Sequence, residues 1–238
     1  MKSCIYLDLG LTDYEKAWEI QKKIHSDLIR YKTANPFSHI DHQLLFCEHP
    51  HVFTLGKSGN VNNLLIHEKL LSGIGAAFYK TDRGGDITYH GPGQIVGYPL
   101  FDLQDLDLGI KKYIYLLEQS VIDTLAEFSI PSERYPVNTG VWTCAEGKKV
   151  SEKICSVGVR VSRLVSMHGF ALNVNTDLSY FTYINPCGLS THNVTSMEKE
   201  KGEKLNNGDV KRALCKHIAA NFGMEIRNCD NINLQKIL

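Results

Sequence analysis

Strand-forming segments in this chain come in consecutive runs, and that grouping limits the folds open to it. Between residues 76 and 103, strand-like stretches are interrupted only by Gly84-Gly85 and Gly91-Pro92-Gly93, the punctuation of tight connections. Strand patterns return at 139–144, 154–162 and 164–174. Near the start, residues 4–9 alternate as a strand, and two apolar runs at 44–47 and 52–55 flank His49-Pro50-His51 as two strands joined at a turn. A doubly wound parallel sheet requires strict alternation with helices, so the runs argue for an α+β arrangement.

Helical periodicity supplies the flanking layers. Thr12-Asp13-Tyr14-Glu15 reads as a capping box with Thr12 at the N-cap. Behind it Ala17, Gln21, Ile24, Leu28 and Tyr31 mark a helix to about residue 32, ended by Asn35-Pro36. A second helix is expected over 109–129, with Ile110, Ile114, Leu117, Val121, Leu125 and Phe128 on one face, and a last one over 208–222. The segment 61–73 carries a short helical pattern. Residues 1–238 therefore read as one domain, a mixed sheet with flanking helices, in a chain whose 43% hydrophobic and 22% charged content is ordinary globular usage.

Charge and cysteine usage narrow the function classes. Twenty-six basic residues balance 26 acidic ones, so there is no chain-wide attraction to nucleic acid or an anionic membrane. Seven cysteines, at 4, 47, 144, 155, 187, 215 and 229, contain no C-x-x-C pair, which points to reduced thiols rather than a zinc knuckle or a redox pair. Acidic residues interrupt the N-terminal segment where a signal peptide needs an apolar core, and no run approaches the roughly 18 apolar residues of a membrane span. The expectation is a soluble cytoplasmic protein.

Three tempting motifs fail. Gly56-Lys57-Ser58 lacks the glycine a phosphate loop needs five positions earlier, because residue 51 is histidine. Arg83-Gly84-Gly85 is a single copy of an RNA-binding tripeptide in a net-neutral chain. His39, His42, His49 and His51 lie close together without metal-ligand spacing, and read as solvated loop histidines, with no metal expected.

Three segments carry chemistry. In Arg83-Gly84-Gly85-Asp86-Ile87-Thr88-Tyr89-His90, followed by Gly-Pro-Gly-Gln, glycines open the main chain to a ligand and polar side chains supply donors. Lys153 stands at the mouth of an apolar strand that continues through Cys155, Ser156, Val157 and Gly158. His168-Gly169-Phe170 leads toward Ile184-Asn185-Pro186-Cys187-Gly188, where a cysteine between proline and glycine is presented in a turn. Each has a plainer reading: glycine-rich turns join strands, a strand-end lysine reaches solvent, and a cysteine beside proline packs as a small hydrophobe. Cys155 is the rival thiol, at a mid-strand position that favours burial.

Taken together, EHPHVFTLGKSGNVNNLL, RGGDITYHGPGQIVGYPL, KICSVGVRVS, MHGFALNVNTDLSYFTYINPCGL and THNVTSM resemble the lipoyl(octanoyl) transferases over about residues 44–197. That resemblance implies the biotin and lipoate protein ligase fold and transfer of an octanoyl group from acyl carrier protein to lipoyl domains of 2-oxoacid dehydrogenases and the glycine cleavage H protein. It places Cys187 on the family's nucleophile and Lys153 on its dyad partner. Arg83, Gly84, Gly85, Asp86, Ile87, Thr88, Tyr89 and His90, with Ser156, Val157, Gly158, His168, Gly169 and Phe170, fall on its substrate-binding positions. It implies no cofactor, no metal and a monomer. An ATP-dependent lipoate or biotin ligase, a non-catalytic acyl-binding module and a Cys–His hydrolase stay open as alternatives. Lys148, Lys149, Arg160 and Arg163 are candidate contacts for an acidic carrier protein.

Overall fold

The computed structural model describes residues 2–35, 40–135, 138–144, 151–185 and 194–228. Its main sheet is mixed. Strand β1 (Lys2–Leu11) runs parallel to β2 (His42–Glu48) on one side and to β11 (Met224–Asn228) on the other. Beyond β2 the order continues, antiparallel throughout, through β6 (Gln94–Leu100), β10 (Val165–Asn173), β9 (Glu152–Ser162), β8 (Asn138–Thr143) and β7 (Ser132–Tyr135). A second sheet of three strands places β3 (Val52–Leu55) between β4 (Ala77–Lys80) and β5 (Ile87–His90).

Both faces of the main sheet are covered, which explains the unbroken apolar run of β2. Leu45 and Cys47 point to one face, where they meet Ala17, Ile20, Ile24 and Leu28 of α1 (Tyr14–Ala34). Leu44 and Phe46 point to the other, against Tyr113, Leu117 and Val121 of α2 (Ile110–Glu127) and Leu214 and Ile218 of α4 (Asn207–Phe222). Successive strand residues alternate between faces, so a strand covered on both sides must be apolar at every position. The small sheet has its own core, in which Phe53, Ile87 and Tyr89 pack on Phe181 and Ile184 around the 3-10 turn Leu178–Tyr183.

Residues 44–47 and 52–55 are strands joined by a short connection, as expected, and they belong to different sheets, so the chain at 49–51 links the two sheets. Several local expectations are corrected. The capping box does not form. Asp13 is the N-cap, and the Thr12 hydroxyl donates instead to the Leu9 carbonyl at 2.7 Å. Residues 61–73 split into two 3-10 turns, Val61–Asn63 and Glu68–Ile74. A short helix α3 (Met197–Lys201) and the edge strands β7 and β11 have no counterpart in the sequence reading. Among the described residues no helix is long and apolar enough to cross a membrane.

Candidate active site

A cavity of about 370 Å³ opens where the small sheet meets β9 and β10. Arg83, Gly84, Gly85, Asp86, Ile87, Thr88, His90, Lys153, Ser156, Val157, Gly158, His168, Gly169 and Phe170 all line it. Tyr89 does not. It is fully buried on the opposite face of β5, its hydroxyl meets His51 Nδ1 at 2.7 Å, and its ring stacks on Tyr180. The strand alternation that turns Thr88 and His90 inward turns Tyr89 away. Cys187 lies outside the described residues, as do Lys148 and Lys149.

The arginine–glycine loop is docked more than it is open. Arg83 donates through Nη2 to the Thr54 carbonyl at 2.5 Å and through Nη1 to the Gly84 carbonyl at 3.0 Å, so much of its donor set holds the loop. The Gly84 amide donates to Val159 O on β9 at 2.9 Å. A Cβ on Gly158 would stand 2.9 Å from the Gly84 carbonyl, so the glycine there lets two backbones approach each other. Asp86 is a hub: one oxygen accepts from the amides of Ile87 (2.7 Å) and Asn60 (3.2 Å), the other from Asn63 Nδ2 at 2.6 Å.

His90 and His168 form two buried polar arms. Gln94 donates its amide to Tyr89 O and to Asn173 Oδ1, which leaves its oxygen to accept from His90 Nδ1 at 2.8 Å. Burial drives the His90 pKa well below the ordinary imidazole value. His168 sits at φ 59°, in the left-handed region, and its Nε2 meets Asp82 at 2.7 Å. Arg160 pairs with the other Asp82 oxygen at 2.7 Å. The hydrogen bond from His168 is the main cause holding the Asp82 carboxyl down to about 2, while burial lowers the His168 pKa. A neutral ring donating from Nε2 leaves Nδ1 as a buried acceptor without a partner among the described residues. Arg160 is thus engaged inside this arm.

Two of the clustered histidines are buried rather than solvated. His42 is fully buried in β2, meeting Asp105 at 3.1 Å and accepting from the Asp102 amide. His49 is buried between Thr12 O (2.6 Å) and the Tyr98 hydroxyl (2.7 Å), and burial lowers its pKa to about 4. His39 lies outside the described residues, and no metal-binding group of side chains occurs among those described.

Lys153 is set by a β-bulge. Gly140 pairs with Ser156 and Val141 with Cys155, but Trp142 pairs with Lys153, so the register shifts and Ile154 is the extra residue. A bulge re-aims side chains: Ile154 and Cys155 both join the core under α2, while Lys153 lines the cavity. Two further residues complete this corner, of which Glu118 carries no signal in the sequence. Glu118 of α2 is buried and accepts from the Gly140 amide at 2.8 Å. Asn173 donates to Thr195 O at 2.9 Å, and Thr195 in turn donates to Lys153 O at 3.0 Å.

The described thiols are poor nucleophiles. Cys4, Cys47 and Cys155 are buried, and burial pushes each thiol well above its usual range. Burial also raises Cys144 to about 11 and Cys215 to about 12. A thiolate is the reactive form, and none of these five is poised to give one.

Residues 13–219 match the family model for the lipoyl protein ligase A/B catalytic domain. The chain belongs to that family. Its curated relatives place it among the octanoyltransferases: that of Flavobacterium johnsoniae is 52% identical over 224 residues, covering 92% of this chain and 96% of the relative. The octanoyltransferase of Bacteroides fragilis is 46% identical over 216 residues, covering 91% and 96%. The octanoyltransferase family assignment makes this an acyltransferase. Solved structures show the lipoate ligase fold. The bipartite lipoate protein ligase of Thermoplasma acidophilum superposes with a TM-score of 0.70 at 15% identity, covering 95% of this chain and 86% of that one. A lipoate-protein ligase A bound with ATP gives 0.68 at 15% identity, covering 96% and 88%.

Proposed function

We propose that this enzyme takes an octanoyl group from the phosphopantetheine thioester of an acyl carrier protein and delivers it to the acceptor lysine of a lipoyl domain. The acceptors are 2-oxoacid dehydrogenases and the glycine cleavage H protein. The route is a thioester on Cys187, with Lys153 as acid and base. The observation that carries this reading is Lys153 itself, a lysine re-aimed by a bulge onto the wall of a cavity whose other lining includes Val157, Phe170 and Ile114. The raised thiols of the five described cysteines leave Cys187 and Cys229, and the resemblance of residues 184–189 to the lipoyl(octanoyl) transferases selects Cys187 as the nucleophile.

The chemistry balances without an energy source. Attack of the Cys187 thiolate on the donor thioester exchanges one thioester for another, and the departing phosphopantetheine thiolate takes a proton that Lys153 supplies. The acceptor lysine then loses a proton to neutral Lys153 and attacks the acyl-enzyme, forming an amide and freeing the cysteine. An apolar slot suits an octanoyl tail, at about 0.8 kcal/mol per buried methylene. Because the donor arrives activated, the reaction calls for no nucleotide, metal or other cofactor. We read the chain as one catalytic domain, acting as a monomer in the cytoplasm, with no nucleic acid or membrane partner.

Incubation with octanoyl-acyl carrier protein and a lipoyl domain, without ATP, should yield the octanoylated domain. Transfer that requires ATP and free octanoate would replace this reading with that of a ligase.

A further inference from the structure

Glu118 is a buried carboxylate that the proposed chemistry leaves unused. It leaves α2 on the side facing the sheet and is 7% exposed. One oxygen accepts from the Gly140 amide at 2.8 Å, and the other lies 3.3 Å from Arg134 Nε of β7. An ionised carboxylate inside a core is costly unless compensated. Burial raises the Glu118 pKa, and the Gly140 amide, Arg134 and Lys153 each pull it back.

Gly140 stands between the two charges. Its φ of 132° is open to glycine and strained for other residues. The Lys153 side chain crosses its Cα so closely that a Cβ there would lie 2.6 Å from Lys153 Cε and 3.3 Å from Nζ. The same residue that gives its N–H to Glu118 therefore gives its bare face to Lys153. Nζ also lies 5.3 Å from the centre of the Trp142 ring.

We infer that Glu118 is a positioning residue for Lys153, holding the lysine against Gly140 and stabilising its protonated form from behind the site. The inference rests on Lys153 being the acid and base of the transfer. Among the described residues, the other titratable or charged groups facing the pair include Arg134, which opposes the carboxylate, and the Cys155 thiol, which burial keeps protonated. Glu152, the preceding residue, is engaged by Lys199 at 2.7 Å. Without the carboxylate, Lys153 loses a proton more readily, so it is a poorer acid for the leaving thiolate and becomes neutral at lower pH.

The test is the pH dependence of single-turnover octanoyl transfer from the isolated acyl-enzyme to a lipoyl domain. Glu118→Gln keeps the acceptor for Gly140 and removes the charge. The ionisation assigned to Lys153 should move down by about one pH unit, the size expected of one partly screened charge. Arg134→Gln removes the opposing cation and should move the same ionisation up, which covers the case in which Glu118→Gln fails to fold. Glu118→Asp should return the ionisation toward its native position. Unshifted ionisations in the folded variants, with only thermal stability changed, would make Glu118 purely structural and overturn the inference. Retention of transfer and of that ionisation in Lys153→Ala would instead sink the role assigned to Lys153.

Discussion

The amide of Thr195 donates to the carbonyl of Lys153 at 3.0 Å, tying the strand that carries the lysine to the segment leading into α3. Asn173 secures that tie by donating to Thr195 O at 2.9 Å and accepting from Gln94, which holds His90. A run of buried side-chain hydrogen bonds thus links the cavity wall at His90 to the backbone at Lys153. Asn173→Ala strands a buried donor and a buried acceptor at once, each worth about 1–3 kcal/mol. We expect a loss of at least that order in urea denaturation, with octanoyl transfer falling even at temperatures where the variant is folded.

Gly140 leads to a sharper loss. A methyl group there meets Cys155 O at 2.5 Å and Lys153 Cε at 2.6 Å, on backbone at φ 132°. Strain of this kind costs about 1–3 kcal/mol before any clash is counted. Gly140→Ala should lower the melting temperature and displace Lys153, with octanoyl transfer by the residual folded protein reduced by an order of magnitude or more. Native-like transfer in the alanine variant would contradict the close approach.

Acidification provides a third prediction, carried by buried neutral histidines. His42, His49, His90 and His168 have folded pKa values lowered chiefly by burial. Below the ordinary imidazole value of 6.5 the unfolded chain takes up protons that the folded chain refuses, so stability falls as pH drops. For His49 the loss runs from 6.5 down to about 4. The slope is about 1.4 kcal/mol per pH unit for each such proton. Asp82 acts lower down: its pKa is depressed to about 2, so the stability it contributes is present above the unfolded carboxyl value and lost as pH falls toward 2. Urea midpoints at pH 7, 6 and 5 should decline, and His49→Gln should flatten the decline. A midpoint that rises on acidification would reverse the sign.

The pattern of what was legible follows the physics. Helices α2 and α4 were visible because one apolar face at helical spacing is a strong one-dimensional signal, and both lie within about two residues of the expected bounds. The glycine-rich loop and His168-Gly169-Phe170 stand out in the sequence because their residue types are unusual at any address, and both line the cavity. Tyr89 was misplaced because a contiguous motif hides the alternation of a strand. His42 and His49 were misread because burial is set by α1 and by the partner strands, which a local window does not contain. Lys153 stands out in the sequence as a strand-end lysine, but its bulge does not, since a register shift exists only between two strands. Glu118 carries no signal of its own in the sequence; only the fold brings Gly140 to it.

A core control separates stability from chemistry. Leu214 of α4 is fully buried between that helix and the main sheet. Leu214→Ala should cost about 2–5 kcal/mol, as truncations leaving a cavity do, while octanoyl transfer per folded molecule stays near native. Loss of transfer without loss of stability would mean that α4 has a direct role in the site.

Mapping the acyl group on the enzyme tests the proposed route most directly. The protein is incubated with octanoyl-acyl carrier protein, quenched in acid and digested, and its peptides are weighed by mass spectrometry. The prediction is a single octanoyl increment on the peptide containing Cys187, absent from Cys187→Ser and discharged when a lipoyl domain is added. An increment on Cys155, or efficient transfer by Cys187→Ser with no acyl-enzyme formed, would contradict it.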